Sequence, residues 1–170
     1  MIYPHHETEM ILAEKIGLSS YCDFWMHNGL MEDADGKLSK SRGERITLGQ
    51  VFEDCPPAAL RFYLLSHHYR EFTPYSPEGL LKACKEGERL GVNAVDCMVV
   101  DSSDPRKDDE ISPLLSMFED ALDDDLDTPK ALDVLRNLDK IASERLESGE
   151  NLSSLSGMYR IFQRVLGVFS

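Results

Sequence analysis

Asp35-Gly36-Lys37-Leu38-Ser39-Lys40-Ser41-Arg42-Gly43 is the stretch from which the rest of the chain can be read. Two ammonium groups, Lys37 and Lys40, stand three residues apart, with hydroxyls at Ser39 and Ser41. Glycines lie on both sides, so the backbone can bend closely around a ligand. This is chemistry suited to phosphate. Asp35-Gly36 is a tight-turn signal, which places the lysines on a mobile loop after an extended segment rather than on a rigid helix face. Such mobility is useful where charge develops only in a transition state. A K-x-x-K pair taken alone is more often a solvated surface turn, so its neighbours have to decide.

Upstream, residues 21–31 are rich in aromatic and extended-structure formers. They predict a short buried strand through Trp25 and Met26 that bends at Asn28-Gly29 and runs into the Asp35-Gly36 turn. His27 at the end of that strand either touches a ligand or is a hydrogen-bonded structural histidine. Further upstream, Pro4 introduces a helix through Met10, Ile11, Ala13 and Ile16. On it His5 and Glu9 are spaced i and i+4, which can supply half of a four-ligand zinc site. Acidic residues near the positive end of a helix dipole explain the same pattern, and it is not the H-E-x-x-H of a metalloprotease.

Downstream, Thr47-Leu48-Gly49-Gln50 has capping-box form, and Pro56-Pro57 introduces a second helix to about His67. His67, His68 and Arg70 at its end make a small basic patch, open to a helix-dipole role or to RNA contact. Ser76-Pro77-Glu78 starts a long helix to Val99 with Leu80, Leu81, Cys84, Leu90, Ala94, Val95 and Met98 as its inner stripe. Residues 101–110, polar and without periodicity, predict a linker or flexible loop. Three more helix starts follow, at Ser112-Pro113, Thr128-Pro129 and Asn151, with a turn at Gly149 between the last two.

The 170 residues carry 18 Lys and Arg against 31 Asp and Glu, a net charge of −13. That sign excludes coating nucleic acid by bulk electrostatics, so any RNA contact has to be local. Cys22, Cys55, Cys84 and Cys97 show no C-x-x-C pairing and predict reduced, mostly buried thiols in the cytoplasm. No apolar run approaches a membrane span.

Taken in order, P-H-H-E-x-E, W-M-H-N-G, K-L-S-K-S, R-F-Y-L-L-S-H-H-Y-R and D-D-D-L-D-T-P-x-A resemble cysteinyl-tRNA synthetase, a class I aminoacyl-tRNA synthetase, along essentially the whole chain. The resemblance implies a mainly α fold. Residues 1–34 would be the last portion of a Rossmann-type catalytic domain, 35–105 the signature loop and helical stem-contact region, and 106–170 a helical tRNA-binding bundle. It also implies ATP-dependent activation of L-cysteine and transfer to tRNA(Cys), in the cytoplasm and as a monomer. Lys37 to Ser41 fall on the family's K-M-S-K-S signature, with Leu38 in place of Met. Lys37 and Lys40 then act on the triphosphate of Mg(2+)-bound ATP, and Ser39, Ser41 and His27 belong to the same ATP site. His5 and Glu9 fall on two of the ligands of a Zn(2+) ion that takes the substrate thiolate.

The family's two cysteine ligands and its H-I-G-H motif have no counterpart here, which predicts an internal or carboxy-terminal piece of a synthetase, inactive alone. A truncated paralogue holding tRNA or a protein partner is the alternative. A related ligase joining cysteine to a sugar amine is a third, and the long stretch after Ser112 counts against it.

Overall fold

The structure, a computed structural model, describes residues 2–18, 22–33, 36–37 and 47–169. Among these the architecture is mainly helical, as expected: α1 Glu7–Lys15, α2 Leu48–Asp54, α3 Pro57–Leu65, α4 Pro77–Met98, α5 Ser112–Asp123, α6 Thr128–Ser148 and α7 Ser153–Leu166. A π-turn, Ile2–His6, precedes α1. Three short strands, β1 Met31–Asp33, β2 Gly36–Lys37 and β3 Thr73–Pro74, form a sheet in the order β2-β1-β3. β1 runs antiparallel to β2 and parallel to β3.

Local chemistry sets the helix starts. Thr47 accepts a hydrogen bond from the Gln50 N–H while the Gln50 side chain accepts one from the Thr47 N–H, closing the expected capping box on α2. Ser76 accepts from the Gly79 N–H and Asp127 from the Lys130 N–H, so α4 and α6 each begin with two donors satisfied or removed, one by the cap and one by proline. Asn151 accepts from the Ser153 N–H ahead of α7.

One core runs through α3 to α7. Phe62 of α3, Leu90 and Ala94 of α4, Phe118 of α5, Leu132, Leu135 and Leu138 of α6, and Tyr159 and Phe162 of α7 all belong to it. The core therefore crosses residue 105 without a break, and α7 packs more on α4 than on α6. Asp139 of α6, 2% exposed, is admitted to this core because Arg89 and Asn93 of α4 both donate to its carboxylate.

Three expectations are corrected. The strand through Trp25 and Met26 does not form: residues 24–30 are irregular and the strand begins at Met31, where backbone partners exist. Leu81 and Val95 face solvent, because α4 is covered only along Leu80, Ala83, Cys84, Leu90, Ala94 and Cys97. Residues 101–110 are no free linker. Pro105 is buried in a single 3-10 turn, the Ser103 N–H donates to the Ser153 carbonyl at 2.9 Å, and Asp108 is bound on several sides. Gly157 permits this docking, since a Cβ there would sit 2.2 Å from the Ser103 carbonyl oxygen.

Candidate functional site

The α5–α6 turn and the segment after α3 meet at a polar corner. Asp125 and Leu126 both hold left-handed backbone angles, φ of 55° and 57°. Aspartate tolerates this region, but leucine does so at a cost that the surrounding structure must over-determine. The turn is fixed by the Asp127 N–H on the Ala121 carbonyl, 2.8 Å, and the Leu126 N–H on the Leu122 carbonyl, 3.1 Å. So held, Asp125 receives the Tyr69 hydroxyl at 2.6 Å and the Arg70 guanidinium at 2.5 and 2.9 Å, with His68 at 4.0 Å. Hydrogen bonds from Arg70 and then Tyr69 hold its carboxyl well below the usual carboxylate range. His68 stacks on the Tyr69 ring, and the Arg70 guanidinium lies 5.1 Å from the centre of that ring.

The basic patch predicted at the end of α3 is divided between two partners. His67 donates to the Tyr63 carbonyl at 3.0 Å, in keeping with a helix-end role, while Arg70 is turned onto Asp125.

From that corner the backbone leads to the signature loop. The Gly29 N–H donates to the Tyr69 carbonyl at 2.7 Å, and the Thr73 N–H donates to the Leu30 carbonyl at 3.0 Å. β1 then pairs with β3, Met31 opposite Thr73, and on its other edge with β2, Glu32 opposite Lys37. β3 is anchored in turn by the Tyr63 hydroxyl on the Pro74 carbonyl. Lys37 is thus placed by its backbone at the end of β2. Ser39, Lys40 and Ser41 lie outside the described residues. Gly29 is the close approach on which the docking depends, since a Cβ there would sit 1.8 Å from the Glu71 carbonyl oxygen.

His27 is half-buried, with its Nδ1 3.0 Å from the Nδ1 of His6, one ring donating and the other accepting. The Trp25 ring lies 5.0 Å from that of His6. His5 and Glu9 are both exposed, one helical turn apart in sequence. Among the described residues no group of three His, Cys, Asp or Glu is gathered as a metal ion would require. Zinc takes three or four protein donors, and one imidazole with one carboxylate falls short. The described residues therefore do not by themselves make a zinc site.

The family profile described as tRNA synthetases class I (C) catalytic domain matches residues 1–85, half of the chain. The chain belongs to that family. A DALR domain profile matches residues 117–170, from within α5 to the last residue. Cysteine–tRNA ligases resemble the chain over nearly all of its length. That of Staphylococcus haemolyticus is 32% identical, covering 98% of this chain and 38% of the relative. Paenarthrobacter aurescens gives 33% identity over 99% of the chain and 35% of the relative, and Pseudothermotoga lettingae 30% over 99% and 37%. The synthetase chain thus spans little more than a third of the relatives it matches.

One part of this arrangement, the pairing at the corner, escaped the sequence. The H-H-Y-R and D-D-D-L-D motifs were both visible, but nothing in either showed that Asp125 is the partner of Tyr69 and Arg70, more than fifty residues away. The one available signal was the run of aspartates before Thr128-Pro129, more acidic than a helix cap needs. The pairing makes a prediction. Donation to Asp125 raises the Tyr69 phenol above its ordinary value, so Asp125→Ala lets Tyr69 ionise at lower pH. Ultraviolet titration of Asp125→Ala, with Tyr69→Phe as the reference that isolates this phenol, checks it. An unmoved titration would mean that the corner is not formed in solution.

Proposed function

We propose that this chain contributes the signature loop and the tRNA-facing helices of an enzyme that activates L-cysteine with ATP and transfers it to tRNA(Cys). The observation that carries the reading is that relatives matched along 98–99% of the chain are cysteine–tRNA ligases. In that role Lys37 and Lys40 neutralise charge on the Mg(2+)-bound triphosphate as pyrophosphate leaves, an effect worth several kcal/mol of transition-state binding. Ser39 and Ser41 donate to the same phosphates, and His27 borders the nucleotide. Contacts from Lys40 that form only as the charge develops favour the transition state over the bound substrate.

The corner around Asp125 would hold the base of that loop to the helical bundle, so that RNA engaged by the helices and ATP engaged by the loop share one frame. The division 1–34, 35–105 and 106–170 is then one of role along the chain, since a single core serves the last two. His5 and Glu9 are proposed as two ligands of a Zn(2+) site completed by other residues of a longer protein, where a soft thiolate substrate is preferred over an alcohol. The cytoplasm, where tRNA is charged, is the proposed setting. No described helix is long and apolar enough to cross a membrane.

The 170-residue chain alone is expected to show cysteine-dependent ATP–pyrophosphate exchange no higher than a no-enzyme control. It is also expected to release any zinc to a mild chelator. Exchange clearly above the control would overturn the view that this is only part of the active site.

A further inference from the structure

A second chemistry sits below the signature loop. Cys55 caps the C-terminal end of α2, Cys84 lies on α4, and their sulfurs are 2.8 Å apart. Both residues are buried and both thiols are free. A disulfide needs a sulfur separation of about 2.05 Å, so less than 1 Å of approach closes the bond. The intervening α3 and β3 are already fixed, since Ala59 and Phe62 pack in the same core as Leu80 and Tyr63 bonds to Pro74. Closure would therefore join two elements whose intervening segment is already packed in place.

We propose that Cys55 and Cys84 are an oxidation site that closes to an intramolecular disulfide, tying the end of α2 to α4. The inference does not rest on the synthetase reading. Two surface grooves reach the pair, one bordered by Gln50, Val51, Tyr75 and Leu80, the other by Pro56, Ala59, Gly87 and Phe169. Cys84 borders both, which gives a small oxidant access that the burial of the pair otherwise restricts. Burial, reinforced by the hydrogen bond with Cys84, pushes the Cys55 thiol up to about 12. At neutral pH the Cys55 thiol is mostly undissociated, so it reacts more slowly than an exposed thiol and stays reduced under mild conditions.

With hydrogen peroxide as the oxidant, one sulfur attacks the O–O bond, giving a sulfenic acid and releasing water. The other sulfur then displaces the sulfenic hydroxyl as a second water and forms the S–S bond. Two thiols lose two electrons in total and one peroxide is reduced. A dithiol reductant reverses the step. The consequence is local: α2 begins at Leu48, eight residues after Lys40 in sequence, and the disulfide fixes the far end of α2.

The native 170-residue chain, treated with hydrogen peroxide at neutral pH and then alkylated under denaturing conditions, is digested without reductant and mapped by mass. The expected product is a cross-linked peptide joining Cys55 to Cys84, two hydrogens lighter than its parts, with Cys97 recovered alkylated. Exposed Cys22 reports that the oxidant was active. The melting temperature should rise by on the order of 10 °C and return with dithiothreitol. Cys55→Ser should abolish both changes, whereas Cys22→Ser should leave both. Recovery of Cys55 and Cys84 as separate alkylated or sulfinylated residues, once Cys22 is oxidised, overturns the proposal. That map on the native chain decides the matter even if Cys55→Ser folds poorly.

Discussion

Replacing Gly29 with alanine is expected to detach β1 from β3 while the helical core melts within about 2 °C of the native chain. A Cβ at 29 would lie 1.8 Å from one backbone atom of Glu71 and 2.5 Å from the next. Backbone cannot yield as the end of a flexible side chain does, so the segment has to leave its seat. The Gly29 N–H then loses the Tyr69 carbonyl, and the Thr73 N–H loses that of Leu30. Exchange of both amides should quicken by on the order of a hundredfold. Amides of α6 and α7 should not change, since Leu135, Leu138 and Phe162 lie in a core to which none of the described side chains of residues 22–31 belongs. Unchanged exchange at Thr73 would show that the strand pairing does not depend on the approach at Gly29.

The second large effect is expected at Asp108, where the segment taken from sequence for a linker is tied into the bundle. Its carboxylate receives Arg145 at 2.8 and 3.2 Å, the Ser154 hydroxyl at 2.5 Å, and the backbone N–H groups of Glu110 and Ile111. The Arg145 guanidinium first, and then these hydroxyl and amide donors, hold it well below the usual carboxylate range. Its folded-state pKa is thus lower than its unfolded one. The resulting stability is present above the ordinary carboxylate range and is lost as pH falls through the folded value. Asp108→Ala should cost about 2–4 kcal/mol at neutral pH, because Arg145, only 11% exposed, loses its main partner. Denaturant titrations of the two proteins should converge as pH is lowered from about 5 toward 2. A gap that is constant with pH would place the cost in packing instead of charge.

What could be read in advance follows the range of the forces involved. Starts of α2, α4, α6 and α7 were legible because Thr47, Ser76, Asp127 and Asn151 act on amides two or three residues away. Inner faces were legible only where a neighbour exists to cover them: Leu90 and Ala94 of α4 are buried, but Val95 is not, and no pattern within α4 distinguishes it. Trp25 and Met26 have the composition of a strand, yet β structure needs a second backbone, and the described strand pairing begins at Met31. Residues 101–110 look like a linker because their interactions are polar and distant, Ser103 with Ser153 and Asp108 with Arg145. The same holds for the site. The expectation for K-L-S-K-S rests on one stretch of sequence, but the corner of Tyr69, Arg70 and Asp125 exists only in three dimensions.

The amino-terminal residues fit a larger assembly in one further respect. Ile16 is 77% and Phe24 86% exposed, and of α1 only Ala13 is buried. Apolar surface of this kind is typical of a face made to be covered.

If this chain corresponds to one third of a cysteine–tRNA ligase, it should function when grafted in place of the matching 177 residues of the Staphylococcus haemolyticus relative. Cysteine-dependent ATP–pyrophosphate exchange by the graft is expected well above background, with about one zinc per chain. Lys40→Ala should lower exchange by at least about a hundredfold and leave the zinc in place, whereas His5→Ala should lose metal and exchange together. A folded, zinc-loaded graft whose exchange is indifferent to Lys40→Ala, or one that keeps its zinc in His5→Ala, would show that these residues do not have the proposed roles.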